Sequence, residues 1–215
     1  MRGVGLGLLS QPRGGIKRPI ERRASPIRKD AMAAKLDAYE ISYLCGGPER
    51  VARAALVALC ADGRVQLSDE APYRVVKVRR EGHHRVETAV LDKIPSSGLP
   101  LKLVLRTTAD SPAVRRCAET LLEKKLLRRS FRGWVGPSRA GEEERGRLAE
   151  TPTDEAVKQF AAEGITALPE GPLHDALAAL PPEPEFPIKL PKAKETFYDS
   201  TTGGSGGAGV GGSGL

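Results

Sequence analysis

The chain has 215 residues, of which 40% are hydrophobic, and a formal net charge of +7. Because the biased ends carry few large apolar side chains, the usable length suits one compact domain of about 100 residues plus a helical segment. No uninterrupted apolar run reaches the ~18 residues that a membrane helix needs. We therefore expect no membrane span and a cytoplasmic location.

Charge is distributed unevenly along the chain. Residues 1–31 hold 8 Lys/Arg against 2 Asp/Glu, residues 32–139 hold 20 against 12, and residues 140–215 hold 6 against 13. A basic amino-terminal half often indicates an anionic partner, such as nucleic acid or an acidic protein surface. The acidic third could instead lie against the basic region of the same chain, and both alternatives stay open.

The first predicted unit starts with two helices separated by a turn. Apolar residues recur at helical spacing from Leu36, and Gly46-Gly47-Pro48 then stops the helix. We single out Gly46, Gly47 and Pro48 as a structural turn motif, because glycine tolerates positive φ and proline suits a first helical turn. The next helix reaches Gly63. Two strand-like runs follow it as a predicted hairpin: residues 64–67 and 73–78.

A second unit repeats this order. A short helix is predicted over residues 86–94, and residues 99–105 are apolar but ambiguous. Ser111 can cap and Pro112 can open a further helix, and strand-like residues continue to Val135. Three apolar positions match at an offset of 62 residues: Ala55 with Cys117, Leu59 with Leu121, and Val65 with Leu127. Since helix, turn, helix and hairpin is the order of a winged helix, the sequence predicts a mainly α fold with short β-hairpins in tandem winged-helix-like units.

The rest of the chain is acidic and then rich in proline and glycine. The run from Glu142 to Glu144 suggests a linker or the first turn of a solvated helix. Two more helices are predicted, one capped by Thr153 or Asp154 and one opened by Pro172. Residues 1–31 are predicted to be a disordered basic amino terminus, with Met32 as an alternative start, and residues 32–139 a tandem winged-helix-like domain. Residues 140–180 are predicted to be an acidic helical extension, residues 181–202 a Pro-rich strap and residues 203–215 a disordered Gly-rich tail.

Residue types that carry out catalysis are sparse. Cys45, Cys60 and Cys117 are too isolated for a CxxC pair or a Cys/His metal cluster, and they suit a reducing compartment. His83 and His84 are adjacent and predicted to be exposed in a turn, where they poorly suit one metal. No Walker loop, nucleophile elbow or dinucleotide fingerprint stands between a strand and a helix. We therefore assign no catalytic, cofactor-binding or metal residue, and we expect neither an enzyme nor a cofactor.

The run from Leu36 to Val51 resembles the start of a family of uncharacterised proteins common in actinobacteria and other high-GC bacteria. Those proteins share a Tyr-Glu-x-x-Tyr-Leu-x-Gly-Gly-Pro-x-Arg pattern, which is present here as residues 39–50. Many members look like membrane proteins with two spans and a tail of glycine and cysteine. This chain has neither the spans nor the tail cysteines, so the resemblance implies a shared fold without an activity.

Seven arginines are candidate nucleic-acid contacts, on the two helices that precede the hairpins and on the second hairpin: Arg50, Arg53, Arg115, Arg116, Arg128, Arg129 and Arg132. Asp69 and Glu70 at the first hairpin tip would face phosphates with the wrong sign. We expect a non-catalytic protein-interaction or scaffold module whose partner is another protein. The alternative is a winged-helix-type DNA-binding regulator. The oligomeric state stays open.

Overall fold

The computed structural model describes residues 35–68, 70–151, 153 and 155–189. The predictions for residues 1–31 and 203–215, and those for Asp69 and Asp154, lie outside this part. Seven helices are described: α1 (Ala38–Ala61), α2 (Arg85–Lys93), α3 (Leu101–Ala109), α4 (Pro112–Glu123), α5 (Arg139–Glu150), α6 (Ala156–Glu163) and α7 (Pro172–Ala178). Six strands are described: β1 (Val65–Leu67), β2 (Arg74–Lys77), β3 (Leu99–Pro100), β4 (Leu127–Arg129), β5 (Trp134–Pro137) and β6 (Ile188–Lys189). The described part is therefore mainly helical with small antiparallel sheets, which confirms the predicted class at that level.

Helix α1 is two helices that meet at Gly47. The backbone there has φ 73° and ψ −163°, a region that is essentially restricted to glycine. Pro48 follows and begins the second half of the helix. A Cβ on Gly47 would overlap Cδ1 of Ile188, and one on Gly46 would lie 2.6 Å from Oε2 of Glu183. Both glycines therefore sit where other parts of the chain approach the backbone closely.

The second half of α1 forms the centre of the hydrophobic core. Seven of its apolar side chains, spread over every face, are at most 4% exposed: Val51, Ala52, Ala54, Ala55, Leu56, Val57 and Leu59. A helix that is apolar all round is stable only when other elements cover it. Helices α2, α3, α4 and α6 provide that cover, and the small alanine side chains allow them to approach closely.

The internal repeat is present as two helix–hairpin units with the same backbone hydrogen bonds. Gly63 (φ 63°) and Lys125 (φ 59°) end the two helices in the left-handed conformation at the predicted offset of 62 residues. The hairpins are closed by equivalent serines, because Oγ of Ser68 accepts a hydrogen bond from the Arg74 amide and Oγ of Ser130 accepts one from the Trp134 amide. Between equivalent residues of the returning strands β2 and β5 the offset is 60, since the turn of the second hairpin is two residues shorter than that of the first.

Each hairpin gains a third antiparallel strand from a later part of the chain. The first sheet has the order β1-β2-β3 and the second β4-β5-β6. Val75 of the first sheet pairs with Leu99, and Val135 of the second pairs with Ile188. The Pro-rich strap predicted over residues 181–202 was not expected to form a strand; this is wrong at β6, where the two residues after Pro187 complete a sheet.

Residues 99–105, which the sequence left ambiguous, divide into β3 and the first half of α3. Leucines at every second position mimic a strand here. The buried residues of α3 are instead Leu101, Val104, Leu105 and Thr108, which is helical spacing, whereas Leu103 is 44% exposed. Helix α4 follows and confirms its predicted start, because the Ser111 side chain caps it and Pro112 opens it.

The residues after the second hairpin contribute to the same core as α1. Helix α5 carries the acidic run on a solvated face, where Glu142 pairs with Arg145 and Glu144 pairs with Arg147. Further along, Phe160 of α6 and Leu177 of α7 are each 1% exposed within the core. The predicted cap of α6 at Thr153 is wrong, since Glu155 occupies that position and its side chain caps no amide.

A buried polar network ties the start of α1 to the first hairpin and α2. Glu87 accepts hydrogen bonds from the Tyr39 hydroxyl at 2.6 Å and from Arg64 at 2.7 Å. Burial by itself would raise the pKa of Glu87, but Tyr39, the His83 amide and Arg64 together lower it. His84 stacks on Tyr39 and caps α2 through Nδ1, and burial lowers its pKa. The prediction of two exposed turn histidines is thus wrong for His84, which is half-buried.

The Gly47 geometry can be tested against a second glycine of positive φ. We expect Gly47→Ala to lower the free energy of unfolding by about 2 kcal/mol or more, since it adds backbone strain and an overlap with Ile188. Gly63→Ala should cost only about 1 kcal/mol, because its Cβ would meet no atom within 4 Å and Lys125 occupies the equivalent position. Urea denaturation measures both. Equal losses would show that Ile188 does not constrain Gly47.

Two tyrosines on the same helix allow a matched test of buried hydroxyl groups. Tyr39 donates a hydrogen bond to Glu87, whereas the buried Tyr43 hydroxyl has no hydrogen-bond partner among the described residues. We expect Tyr39→Phe to cost about 1–3 kcal/mol and Tyr43→Phe to cost nothing or to stabilise slightly, because it removes an unsatisfied polar group. Thermal unfolding checks both variants. Losses of similar size would mean that the Tyr43 hydroxyl is bonded in solution.

Candidate interaction site

The second helix–hairpin unit borders an open groove of about 810 Å³, which we call the hairpin groove. The hairpin supplies one side, and the strap that leads into β6 supplies the other. Its lining combines three arginines with aromatic residues and prolines: Arg128, Arg129, Ser130, Phe131, Arg132, Trp134, Gly136, Pro137, Glu142, Phe186 and Pro187. Cationic and aromatic groups therefore meet in one concave surface.

Strand alternation places Arg128 and Trp134 on the outer face of the hairpin, whereas Arg129 pairs with Val135 and shares the face of Leu127. Leu127 and Val135 are buried and anchor the inner face of the hairpin. Arg128 pairs with Gly136 across the two strands, so the opposite face carries an arginine beside a position without a side chain. The missing side chain leaves Pro187 in van der Waals range, since a Cβ on Gly136 would lie 3.8 Å from Cβ of Pro187.

Aromatic side chains are unusually exposed at this hairpin. Phe131 at the tip is 94% exposed and Trp134 at the start of β5 is 41% exposed. The guanidinium of Arg132 lies 5.2 Å from the centre of the Phe131 ring, within the range of a cation–π contact. Clustered exposed aromatics of this kind are more typical of a contact surface than of scattered surface residues.

The hairpin arginines have no carboxylate within salt-bridge distance in the part of the chain that the structure describes. None of Arg128, Arg129 and Arg132 lies within 4.0 Å of a described acidic group. Glu142 is the carboxylate found in the groove lining, and it pairs with Arg145 of its own helix at 3.1 Å. Within the described residues, then, no ion pair neutralises the hairpin arginines, and such a surface suits an anionic partner.

The other candidate arginines lie elsewhere. Arg50 binds Glu183 at 2.7 Å and the Ala162 carbonyl at 3.2 Å, which ties the strap and α6 to the helix. Arg53 is 8% exposed and donates to the Pro181 carbonyl at 2.8 Å. These two side chains are occupied by internal contacts and do not join the hairpin arginines in a single surface.

Two candidates on α4 also lie apart from the hairpin groove. Arg116 is exposed and lies 3.5 Å from Glu119 on the next turn. Arg115 is half-buried and lines a separate pocket between α4 and the strap. The seven predicted arginines therefore divide into a hairpin group of three, an internal pair, and two separated positions on α4.

The strap residues that border the groove were not predicted as site residues. Phe186 and Pro187 reach the hairpin because β6 pairs with β5, a contact between parts of the chain that are distant in sequence. Trp134 was predicted only as a strand residue. Its alternation with buried Val135 was the local signal that could have placed it on the outer face.

Thiol and metal chemistry has little support in the described residues. Burial raises the pKa of Cys60 to about 11 and, as the main cause, that of Cys117 to about 12, so both thiols stay protonated near neutral pH. Across residues 35–68, 70–151, 153 and 155–189 no three His, Cys, Asp or Glu side chains are grouped to hold a metal ion. Within the same part, every helix is too short or too polar to cross a bilayer.

No family model, no curated protein and no solved structure matches this chain. The resemblance of residues 36–51 to a bacterial family therefore stays a prediction. The hairpin groove combines guanidinium groups that form no ion pair with the described residues, exposed aromatic rings and a concave floor.

Proposed function

We propose that this protein is a non-catalytic interaction module that binds an acidic segment of another protein in the hairpin groove. The observation that carries the proposal is the combination of Arg128, Arg129 and Arg132, without ionic partners among the described residues, with exposed Phe131 and Trp134. Arginine and tryptophan are enriched among the residues that contribute most to protein interfaces. A partner that offers carboxylates around an apolar side chain complements this surface.

We further propose that the two helix–hairpin units are winged-helix-like and act as a scaffold. In that description α4 is the helix before the wing, and the second hairpin is the wing. Equivalent positions of the first hairpin carry different side chains, with Gln66 in place of Arg128 and Arg74 in place of Trp134. The repeated backbone supports a structural role for both units, and the divergent surface supports a binding role for the second. Three free cysteines fit a cytoplasmic, reducing location.

Nucleic acid is the second candidate partner, because a wing whose arginines form no ion pair with the described residues also suits phosphates. Against it stands the outward face of α4, which would lie in the major groove. That face carries Glu119, paired with Arg116, and exposed Glu123. Carboxylates at these positions oppose the approach of a phosphate backbone, so an acidic protein segment is the better partner.

The proposal predicts a charge-dependent affinity for a defined acidic peptide. Fluorescence anisotropy would measure binding of the full chain to a short labelled peptide rich in Glu and Leu. The same peptide with Lys in place of each Glu is the control for charge. We expect the acidic peptide to bind, and we expect the double variant Arg128→Ala/Arg132→Ala to weaken its affinity by about tenfold or more. Phe131→Ala should weaken it as well, through loss of the apolar contact.

A matched variant separates the site from the net charge. Arg79→Ala/Arg80→Ala removes the same number of positive charges from exposed positions beyond β2, and it should leave the peptide affinity within about twofold. Equal weakening by both double variants would overturn the hairpin groove as the site. Binding of duplex DNA that falls steeply with salt, without binding of the acidic peptide, would favour the nucleic-acid candidate instead.

A further inference from the structure

A second, smaller pocket lies between the α3–α4 turn, the Pro48 region of α1 and the strap. Its volume is about 390 Å³, and we call it the α3–α4 pocket. One part of its lining is apolar and includes Pro48, Val114 and Ile188. This size is at the small end of the range of small-molecule sites, which is about 300–1,000 Å³.

Three cationic side chains surround this pocket. Arg106, Arg115 and Lys189 all line it, and none of the three has a carboxylate within 4.0 Å among the described residues. The nearby Glu49 lies 3.8 Å from Arg53, on its own helix. Asp110, the other lining carboxylate, is exposed at the end of α3. The lining thus carries more positive than negative charge.

Arg115 is the side chain of this pocket best suited to hold an anion. Its Nε is buried and has no hydrogen-bond partner among the described residues. A buried donor that stays unpaired costs free energy, so native structures usually provide a partner. The adjacent Arg116 differs in both respects, since it is exposed and pairs with Glu119. An oxyanion is the partner that a guanidinium N–H binds best.

The start of α4 adds to the attraction for an anion. Ser111 caps this helix of 12 residues and also lines the pocket. The positive end of the helix dipole therefore lies beside the arginines, where it favours negative charge.

We propose that the α3–α4 pocket binds a small molecule with an apolar body and a single oxyanion group, either a carboxylate or a phosphate monoester. Arg115 holds the oxyanion, while Arg106 and Lys189 add positive charge at the rim. The apolar body lies against Pro48, Val114 and Ile188. This site is separate from the hairpin groove and does not depend on the function proposed for it.

Three probes of similar shape test the class of ligand. Phenyl phosphate and benzoate each carry a ring and an oxyanion, whereas benzyl alcohol has the ring without the charge. Titration calorimetry and NMR shifts of the full chain would measure each. We expect at least one of the two anions to bind at one site, and benzyl alcohol to bind at least about tenfold more weakly. The stronger anion identifies the oxyanion as phosphate or carboxylate.

Two neighbouring arginines provide the variant and its control. Arg115→Met keeps most of the apolar stem and removes the charge, and it should weaken anion binding by about tenfold or more. Arg116→Met should leave the affinity unchanged. If Arg115→Met fails to fold, Lys189→Met gives a second variant, which should weaken binding several-fold with the greater effect at low salt.

The proposal is overturned if neither anion binds at millimolar concentration, if benzyl alcohol binds as tightly as the anions, or if Arg115→Met retains the parent affinity. Phe131→Ala, which alters the hairpin groove, should not change anion binding. A negative result with the acidic peptide would thus not contradict the anion site in the α3–α4 pocket. Equally, a negative result with the small anions would not contradict peptide binding in the hairpin groove.

Discussion

The reversal of φ at Gly47 is the constraint on which the other contacts of the chain depend. It ends the first half of α1 and sets the direction of the second half, whose buried residues are covered by α2, α3, α4 and α6. The absence of a side chain at the same residue makes room for Ile188, and Ile188 is the residue that pairs with Val135. One glycine thus links the central helix to the edge of the second sheet.

The strap is fixed close to this turn by charge as well as by packing. Glu183 lies between Arg50 at 2.7 Å and Arg53 at 3.6 Å, with both guanidinium groups mostly buried. Paired groups in such a position avoid the cost of an isolated buried charge. Arginines that could be read from the sequence as a binding face are therefore part of the scaffold, and they hold the segment that borders the hairpin groove.

Local signals in the sequence were sufficient for the elements that are stabilised locally. The cap at Ser111, the proline after it and the alternation in both hairpins depend on neighbouring residues, and these were predictable. Helix α3 was missed because leucines at every second position concealed its helical spacing. The roles of Arg50 and Arg53 could not be inferred, since the partner of Arg50 is 133 residues away. The floor of the hairpin groove was unpredictable for the same reason.

The two sheets differ in when their third strands become available during synthesis. Strand β3 follows β2 after one short helix, so the first sheet can close early. The arginine-bearing hairpin must wait for β6, which leaves the ribosome only after α5, α6 and α7. A single proteolytic cut between α7 and β6 would leave the floor of the groove held by non-covalent contacts alone, with every arginine of the hairpin in place. The shape of the groove therefore depends on a segment that is synthesised late, whereas the charge of the hairpin does not.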